Sequence, residues 1–270
     1  MLKDKRIVII GGTSGIGLSA AQACVRAGAK VVVVGKDHES CETARELLGK
    51  SGLAWMGNAT ETHLAPLAIE ICRQEFGGFD ALYHVAGGSG RSMGDGPLHE
   101  MSIEGWEYTL QINLNSVMLS NQAAVQAFLK NRQPGAILNL ASVLGWSPSV
   151  RHFTTHAYAT AKAAVIGFSR SIAAYYAPHN IRVNVLAPGL VDTPMARRAA
   201  GDAEIMHFIR SKQPLDGGRI GKPSDLDAAA VFFLSDASAF ATGQVLAVDG
   251  GWELSEGQAG KKKPTQELPE

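Results

Sequence analysis

Tyr158 and Lys162 stand in the segment HAYATAKAA, four residues apart in the order Y-x-x-x-K. At that spacing two side chains share one face of a helix. A phenol with its ordinary pKa near 10 exchanges protons poorly at neutral pH. An ammonium one turn away favours the phenolate, so Lys162 is expected to lower the Tyr158 pKa, each unit corresponding to about 1.4 kcal/mol. The pair is a candidate acid/base for a hydroxyl or carbonyl group. Taken alone it fits an amphipathic helix with a snorkelling lysine equally well.

A second constellation is GGTSGIG, with Gly11, Thr13, Ser14, Gly15, Ile16 and Gly17 between an apolar run and a helical pattern. Glycines at 11, 15 and 17 permit a tight turn, close approach of backbone to a phosphate, and close packing of helix on strand. The helix that follows offers unpaired N–H groups and a positive dipole end to a pyrophosphate. In such folds an acid ending the second strand accepts hydrogen bonds from the ribose 2′-OH. Here that strand ends Val34-Gly35-Lys36, with Gly35 in the acid's slot. Lys36 can neutralise a 2′-phosphate, which favours NADP(H). Asp37, one step later, keeps NAD(H) open.

The elements that would position these groups alternate along the chain. Strands are predicted at Arg6–Ile10, Val31–Val34, Leu53–Met56, Ala81–Val85, Ala136–Leu140, Ile181–Leu186 and Gln244–Val248 from their short β-branched runs. Helices are predicted at Ile16–Ala27, His38–Lys50, Glu61–Phe76, Leu114–Asn131, Tyr158–Ala177 and Asp225–Leu234. Alternation of this kind implies a parallel sheet covered on both faces. No repeat or long linker divides residues 1–254, which read as one domain. The remainder, 255–270, is polar with a Lys triplet and reads as a mobile tail.

Bulk properties narrow the class further. The 270 residues are 46% hydrophobic and 19% charged with 30 glycines, a composition of a folded α/β chain rather than a disordered one. Lys plus Arg and Asp plus Glu both number 25, so net charge gives no reason to expect nucleic acid or an anionic membrane as partner. Cys24, Cys41 and Cys72 have no metal-ligand spacing, no metal site is expected, and the scattered odd set reads as reduced thiols. MLKDKR is too polar for a signal segment, and no apolar run approaches the roughly 18 residues of a membrane span. A cytoplasmic protein is expected.

From about Lys5 to Trp252 the chain resembles the short-chain dehydrogenase/reductase family. Its glycine motif is matched from Ile10 to Gly17, with Ile10 in place of Thr, and its N-N-A-G segment by His84-Val85-Ala86-Gly87, where both asparagines are missing. The resemblance implies a Rossmann-like, doubly wound, seven-stranded parallel sheet in a three-layer sandwich. It implies four catalytic residues: Asn113 in LQINLNSV, Ser142 in LNLASVLG, Tyr158 and Lys162. Asn113 would hold a relay water through its backbone carbonyl, Ser142 would bind the substrate oxygen, and Lys162 would also hold the nicotinamide ribose. Asn58 and Ala59, with Thr60, would lie at the adenine, and Val85, Ala86 and Gly87 along the adenine–ribose side. Pro188, Gly189, Val191 and Thr193 of APGLVDTPM would meet the nicotinamide half. Ser142 and Tyr158 are sixteen positions apart, more than is common in the family, and the extra residues around Ser149–Thr154 are expected to reshape the substrate pocket. Homotetramers or homodimers are common in the family.

Three functions follow as expectations. The leading one is an NADP(H)-dependent oxidoreductase moving hydride between nicotinamide and the carbonyl or secondary alcohol of an organic substrate, a 3-oxoacyl thioester being one case. The second is an NAD-dependent alcohol dehydrogenase, and the third a non-catalytic nucleotide-sensing scaffold. Substrate choice is expected in Leu190–Gly221, where Met195, Met206, Phe208 and Ile209 form an apolar wall that suggests a sizeable organic substrate, beside Arg197, Arg198 and Arg210, which fit either the steering of a carboxylate or phosphopantetheine group or a solvated helix face. His152 and His156 are further candidates.

Overall fold

A computed structural model describes residues 1–149 and 151–257. The strands are β1 (Arg6–Ile10), β2 (Lys30–Gly35), β3 (Gly52–Met56), β4 (Ala81–His84), β5 (Gly135–Leu140), β6 (Ile181–Pro188) and β7 (Val245–Val248). They form one seven-stranded sheet in the order β3-β2-β1-β4-β5-β6-β7, and every pairing is parallel. The helices are α1 (Gly15–Arg26), α2 (His38–Leu48), α3 (Leu64–Phe76), α4 (Ile103–Leu110), α5 (Ser116–Lys130), α6 (His156–Tyr176), α7 (Arg197–Ala200), α8 (Ala203–Lys212) and α9 (Asp227–Leu234).

Strand periodicity explains the layers. Successive side chains point to opposite faces. Ile7, Ile9, Val31, Val33 and Tyr83 therefore pack one way, with Ala20 and Cys24 of α1 and Phe233 of α9. Val8, Ile10, Val32, Val34 and Leu82 pack the other way, with Ala68 and Cys72 of α3 and Phe128 of α5. Both faces are buried, as a parallel sheet requires.

The order along the sheet reverses between β1 and β4, and ligands of such sheets bind outside the carboxyl ends of the strands at that point. Gly11, Val85, Ser142 and Gly189 all lie just past those ends. The sequence reading missed α4, α7 and α8. It also missed that α4 runs into α5 through a π-helical turn, Gln111–Asn115, a feature common at functional sites. Residues 255–257 of the expected tail are held to α8: Ser255 Oγ donates to the Ser211 carbonyl at 2.5 Å, and Ser211 Oγ to the Gly257 carbonyl at 3.0 Å. The rest of that expected tail lies outside the described residues.

Candidate active site

The glycine turn after β1 is built for close approach. A Cβ on Gly17 would meet the Gly11 carbonyl oxygen at 2.0 Å, and Gly11 itself has φ +86°. Ser14, in the N-cap position of α1, is extended and its side chain caps no N–H, and no acid stands in the first turn. The first N–H groups of α1 are thus left facing a cleft of about 390 Å³. Gly11, Thr13, Ser14, Gly15, Ile16, Lys36, Asn58, Ala59, Val85, Ala86, Gly87 and Thr193 line it, whereas Gly17 packs beneath it. Pro188, Gly189 and Val191 line an adjoining cavity of about 150 Å³ together with Ser142 and Tyr158. Donors at a helix end, a glycine cradle and an elongated cleft fit a dinucleotide.

The acid's slot is closed by packing. A Cβ on Gly35 would meet Thr13 Oγ1 at 1.9 Å. Asp37 accepts the Ser40 N–H at 2.8 Å and caps α2, while Lys36 stands exposed on the cleft rim.

Of the catalytic candidates, Lys162 is buried, and its Nζ donates to the Leu140 carbonyl at 2.9 Å. It lies 5.5 Å from the Tyr158 ring centroid. Burial pulls its ammonium down to about 8. The expected lowering of the Tyr158 pKa is not what the site produces. Burial pushes the phenol up to about 12, and the neighbouring Ser142 hydroxyl acts the other way. Desolvation disfavours the phenolate here more than its neighbours favour it. Ser142 Oγ also accepts the Leu144 N–H at 3.2 Å, which fixes the turn after β5.

Asn113 lies in the π-turn and is fully buried. Its Oδ1 accepts the Gly88 N–H at 3.1 Å, and its Nδ2 donates to the carbonyls of Gly88 and Thr109, each at 2.9 Å. The side chain thereby clamps the loop leaving β4. His84, where the family has asparagine, is also fully buried. Its Nδ1 pairs with Ser120 Oγ at 2.7 Å, and its Nε2 faces the Ala86 carbonyl at 3.2 Å and Ser116 Oγ at 3.3 Å. Burial, with the Lys162 charge second, drives the His84 pKa down to about 3.

Several groups on the site escaped the sequence reading. Asp95, buried, accepts the N–H groups of Ala157 and Tyr158, both at 3.0 Å. Ser89, Arg91 and Trp252 line the smaller cavity, as do Phe153 from the extra segment, and Met195 and Arg198 from the region predicted to choose substrate. Phe208 and Ile209 sit behind Trp252 and do not line it; Met206, Arg197, Arg210, His152 and His156 do not line it either. A tryptophan and an arginine in glycine-rich segments were the available signals; nothing local marks Asp95. Among the described residues no three His, Cys, Asp or Glu side chains come together as a metal site. No helix among them is long and apolar enough to cross a membrane.

A dinucleotide turn at the switch point, facing a tyrosine, a serine and a buried lysine, defines a nicotinamide-dependent oxidoreductase. Known proteins agree. The family model described as Enoyl-(Acyl carrier protein) reductase matches residues 11–253. The chain is similar to 2-(S)-hydroxypropyl-CoM dehydrogenase 3 of Xanthobacter autotrophicus, 35% identical over 257 residues that cover 93% of this chain and 97% of the relative. Among solved structures it resembles a short-chain type dehydrogenase/reductase from Mycobacterium ulcerans, with TM-score 0.85, 28% identity, and coverage of 94% of this chain and 91% of that one. It also resembles a 3-ketoacyl-(acyl-carrier-protein) reductase from Brucella melitensis complexed with NADH, with TM-score 0.82, 27% identity, and coverage of 94% and 100%. The chain belongs to the short-chain dehydrogenase/reductase family and is an oxidoreductase acting on CH–OH groups.

Proposed function

We propose that the protein moves hydride between NADP(H) and a small carbonyl compound or secondary alcohol, with Tyr158 as the acid/base. The observation that carries this reading is that Tyr158 and Ser142 line one apolar cavity, with the Lys162 ammonium 5.5 Å from the Tyr158 ring centroid, and that this cavity adjoins the dinucleotide cleft. The nicotinamide supplies or accepts the hydride. Ser142 donates to the substrate oxygen and stabilises charge that develops there. Tyr158 protonates that oxygen in reduction and deprotonates the alcohol in oxidation. Lys162 holds positive charge beneath the ring and binds the nicotinamide ribose. Asn113 fixes the loop that borders both chambers and takes part in the proton relay.

Gly11, Thr13, Ser14, Gly15, Ile16 and Gly17 would hold the pyrophosphate. Asn58, Ala59, Val85, Ala86 and Gly87 would hold the adenosine half, and Pro188, Gly189, Val191 and Thr193 the nicotinamide half. Lys36 is proposed to read the 2′-phosphate, because the packing of Thr13 on Gly35 leaves no room for an acid and Asp37 is committed to a helix cap. The 3-ketoacyl reductase structure with NADH supports the second reading, an NAD-dependent enzyme on the same scaffold. The apolar cavity of about 150 Å³ beside Tyr158 and Ser142 would hold the reacting end of the substrate.

The decisive experiment follows NADPH absorbance across a panel of ketones with the wild type and Tyr158→Phe. The wild type should consume NADPH with one or more ketones, and the variant should bind nucleotide without turnover. A variant that still turns over would overturn the role of Tyr158.

Assembly as a homotetramer or homodimer in the cytoplasm completes the proposal. Tyr175 on α6, Phe240, and Leu246 on the edge strand β7 are exposed, and Cys24, Cys41 and Cys72 are free thiols in the fold. A monomer by light scattering would remove the assembly.

A further inference from the structure

The smaller cavity is walled mostly by aliphatic and aromatic groups, among them Val143, Leu144, Phe153, Leu190 and Trp252. Two cations break this pattern. Arg91, on the turn Arg91–Met93, and Arg198, on α7, both line it. Neither makes an ion pair among the described residues, although Arg151 close by pairs with Glu204 at 2.7 Å. Arg91 has one acceptor there, the His152 carbonyl at 3.4 Å, and Arg198 has none. Asp95, the acid nearest in influence to Arg91, spends its oxygens on the N–H groups of Ala157 and Tyr158. Burial, and after it the Arg198 charge, lowers the Arg91 pKa more than the Asp95 charge raises it, so the two guanidinium groups act on one another across the cavity.

Arg198 is exposed and Arg91 half-buried, and with no ion-pair partner among the described residues both keep N–H donors free at the rim of an otherwise apolar cavity. A guanidinium fork matches a carboxylate, sulfonate or phosphate through paired N–H donors. The cavity's volume, about 150 Å³, is on the scale of an apolar void that accepts benzene.

We infer that this cavity takes an organic oxyanion: a ring-sized or short-chain hydroxy or oxo compound whose acidic group is gripped by Arg91 and Arg198 while its alcohol or carbonyl faces Tyr158 and Ser142. The inference rests on the reading of this cavity as the substrate chamber.

Benzoate, which carries the ring and the anion but no reducible ketone, tests the site without turnover. Calorimetry on the full chain compares it with benzamide, its neutral counterpart. Benzoate should bind at least tenfold more tightly, and Arg91→Gln and Arg198→Gln should each remove most of that preference at unchanged Tm. Lys50→Gln, an exposed lysine elsewhere, should leave it intact. Benzenesulfonate and phenyl phosphate run alongside, and the tightest binder identifies the class of oxyanion. Equal binding of benzoate and benzamide, binding of neither, or a preference that survives both arginine changes would overturn the inference. A second arm measures kcat/KM for 4-oxocyclohexanecarboxylate and its methyl ester. The acid should win at least tenfold, and Arg198→Gln should erase that through KM. If no ketone of the NADPH panel reacts while benzoate discrimination holds, the hydride-transfer reading fails and the anion site stands. If both react equally and benzoate is not preferred, the anion site fails and the redox reading stands.

Discussion

The Asp95 carboxylate accepts the backbone N–H of Tyr158, and that of Ala157 beside it, from a position more than sixty residues earlier in the chain. The first N–H groups of a helix have no partner within it, and a negative group there also meets the positive end of the dipole. Thr155, in the N-cap position, forms no side-chain cap, so Asp95 does that work from another loop. It acts on catalysis through the first turn of α6, which carries the acid/base.

Asp95→Ala should therefore cost about 1–2 kcal/mol of stability, the usual size of a lost cap. It should also lower kcat more than it raises KM, because the Tyr158 hydroxyl loses its fixed position. Asp95→Asn, which can still accept one N–H, should recover part of kcat. Thermal melts and steady-state kinetics on both variants check this; equal loss in the two would leave only a fold-stabilising role.

The pH dependence of turnover follows from burial. With Tyr158 raised to about 12 and Lys162 lowered to about 8, the site at neutral pH holds a protonated phenol over a charged lysine. Ketone reduction needs that proton, so its rate should hold through neutral pH and fall as Lys162 loses its charge above about 8. Alcohol oxidation needs the phenolate and should climb with pH through the same range. Rate profiles in both directions measure this, and a reduction rate that rises between pH 7 and 9 contradicts it.

His84 should make the fold acid-sensitive. Its folded pKa, about 3, lies below the ordinary imidazole value of 6.5, so between those limits the unfolded chain binds the extra proton. Stability is then full above pH 6.5 and is lost as pH falls towards 3, by at most about 1.4 kcal/mol per pH unit. His84→Asn should flatten that acid limb in denaturant titrations run at several pH values. An unchanged slope would place the acid sensitivity elsewhere.

Lys36→Ala should raise KM for NADPH about tenfold, the loss of one exposed charge contact to a phosphate, and leave KM for NADH nearly unchanged. Parallel titration with both nucleotides reads the difference directly. Tighter NADH than NADPH binding by the wild type would favour the second reading.

Much of this was legible in the chain. Runs such as Ile7–Ile10 and Val31–Val34 are β-branched and continuous, which marks strands buried on both faces. Ser142 and the glycine turn closely follow their strands, and Tyr158 and Lys162 lie in the first two turns of α6, so short-range spacing locates them. What escaped depends on contacts distant in sequence. No pattern near Asp95 says that it will cap α6, and none near Arg91 says that Arg198 will face the same cavity. The direction of the Tyr158 shift was misread for a related reason. Helical spacing reveals the lysine four residues away, but not the half-buried, largely apolar surroundings that the fold gives the phenol.

Ile16, Ser89, Leu140, Thr193 and Met195 border both chambers. A partition so thin makes each occupant part of the other's container. A nucleotide in the glycine-lined cleft would complete the shared wall against which the second molecule must fit. Turnover by this protein should then run in a compulsory sequence, nucleotide in first and out last. Product inhibition would display that order as competition between the two nucleotide forms alone.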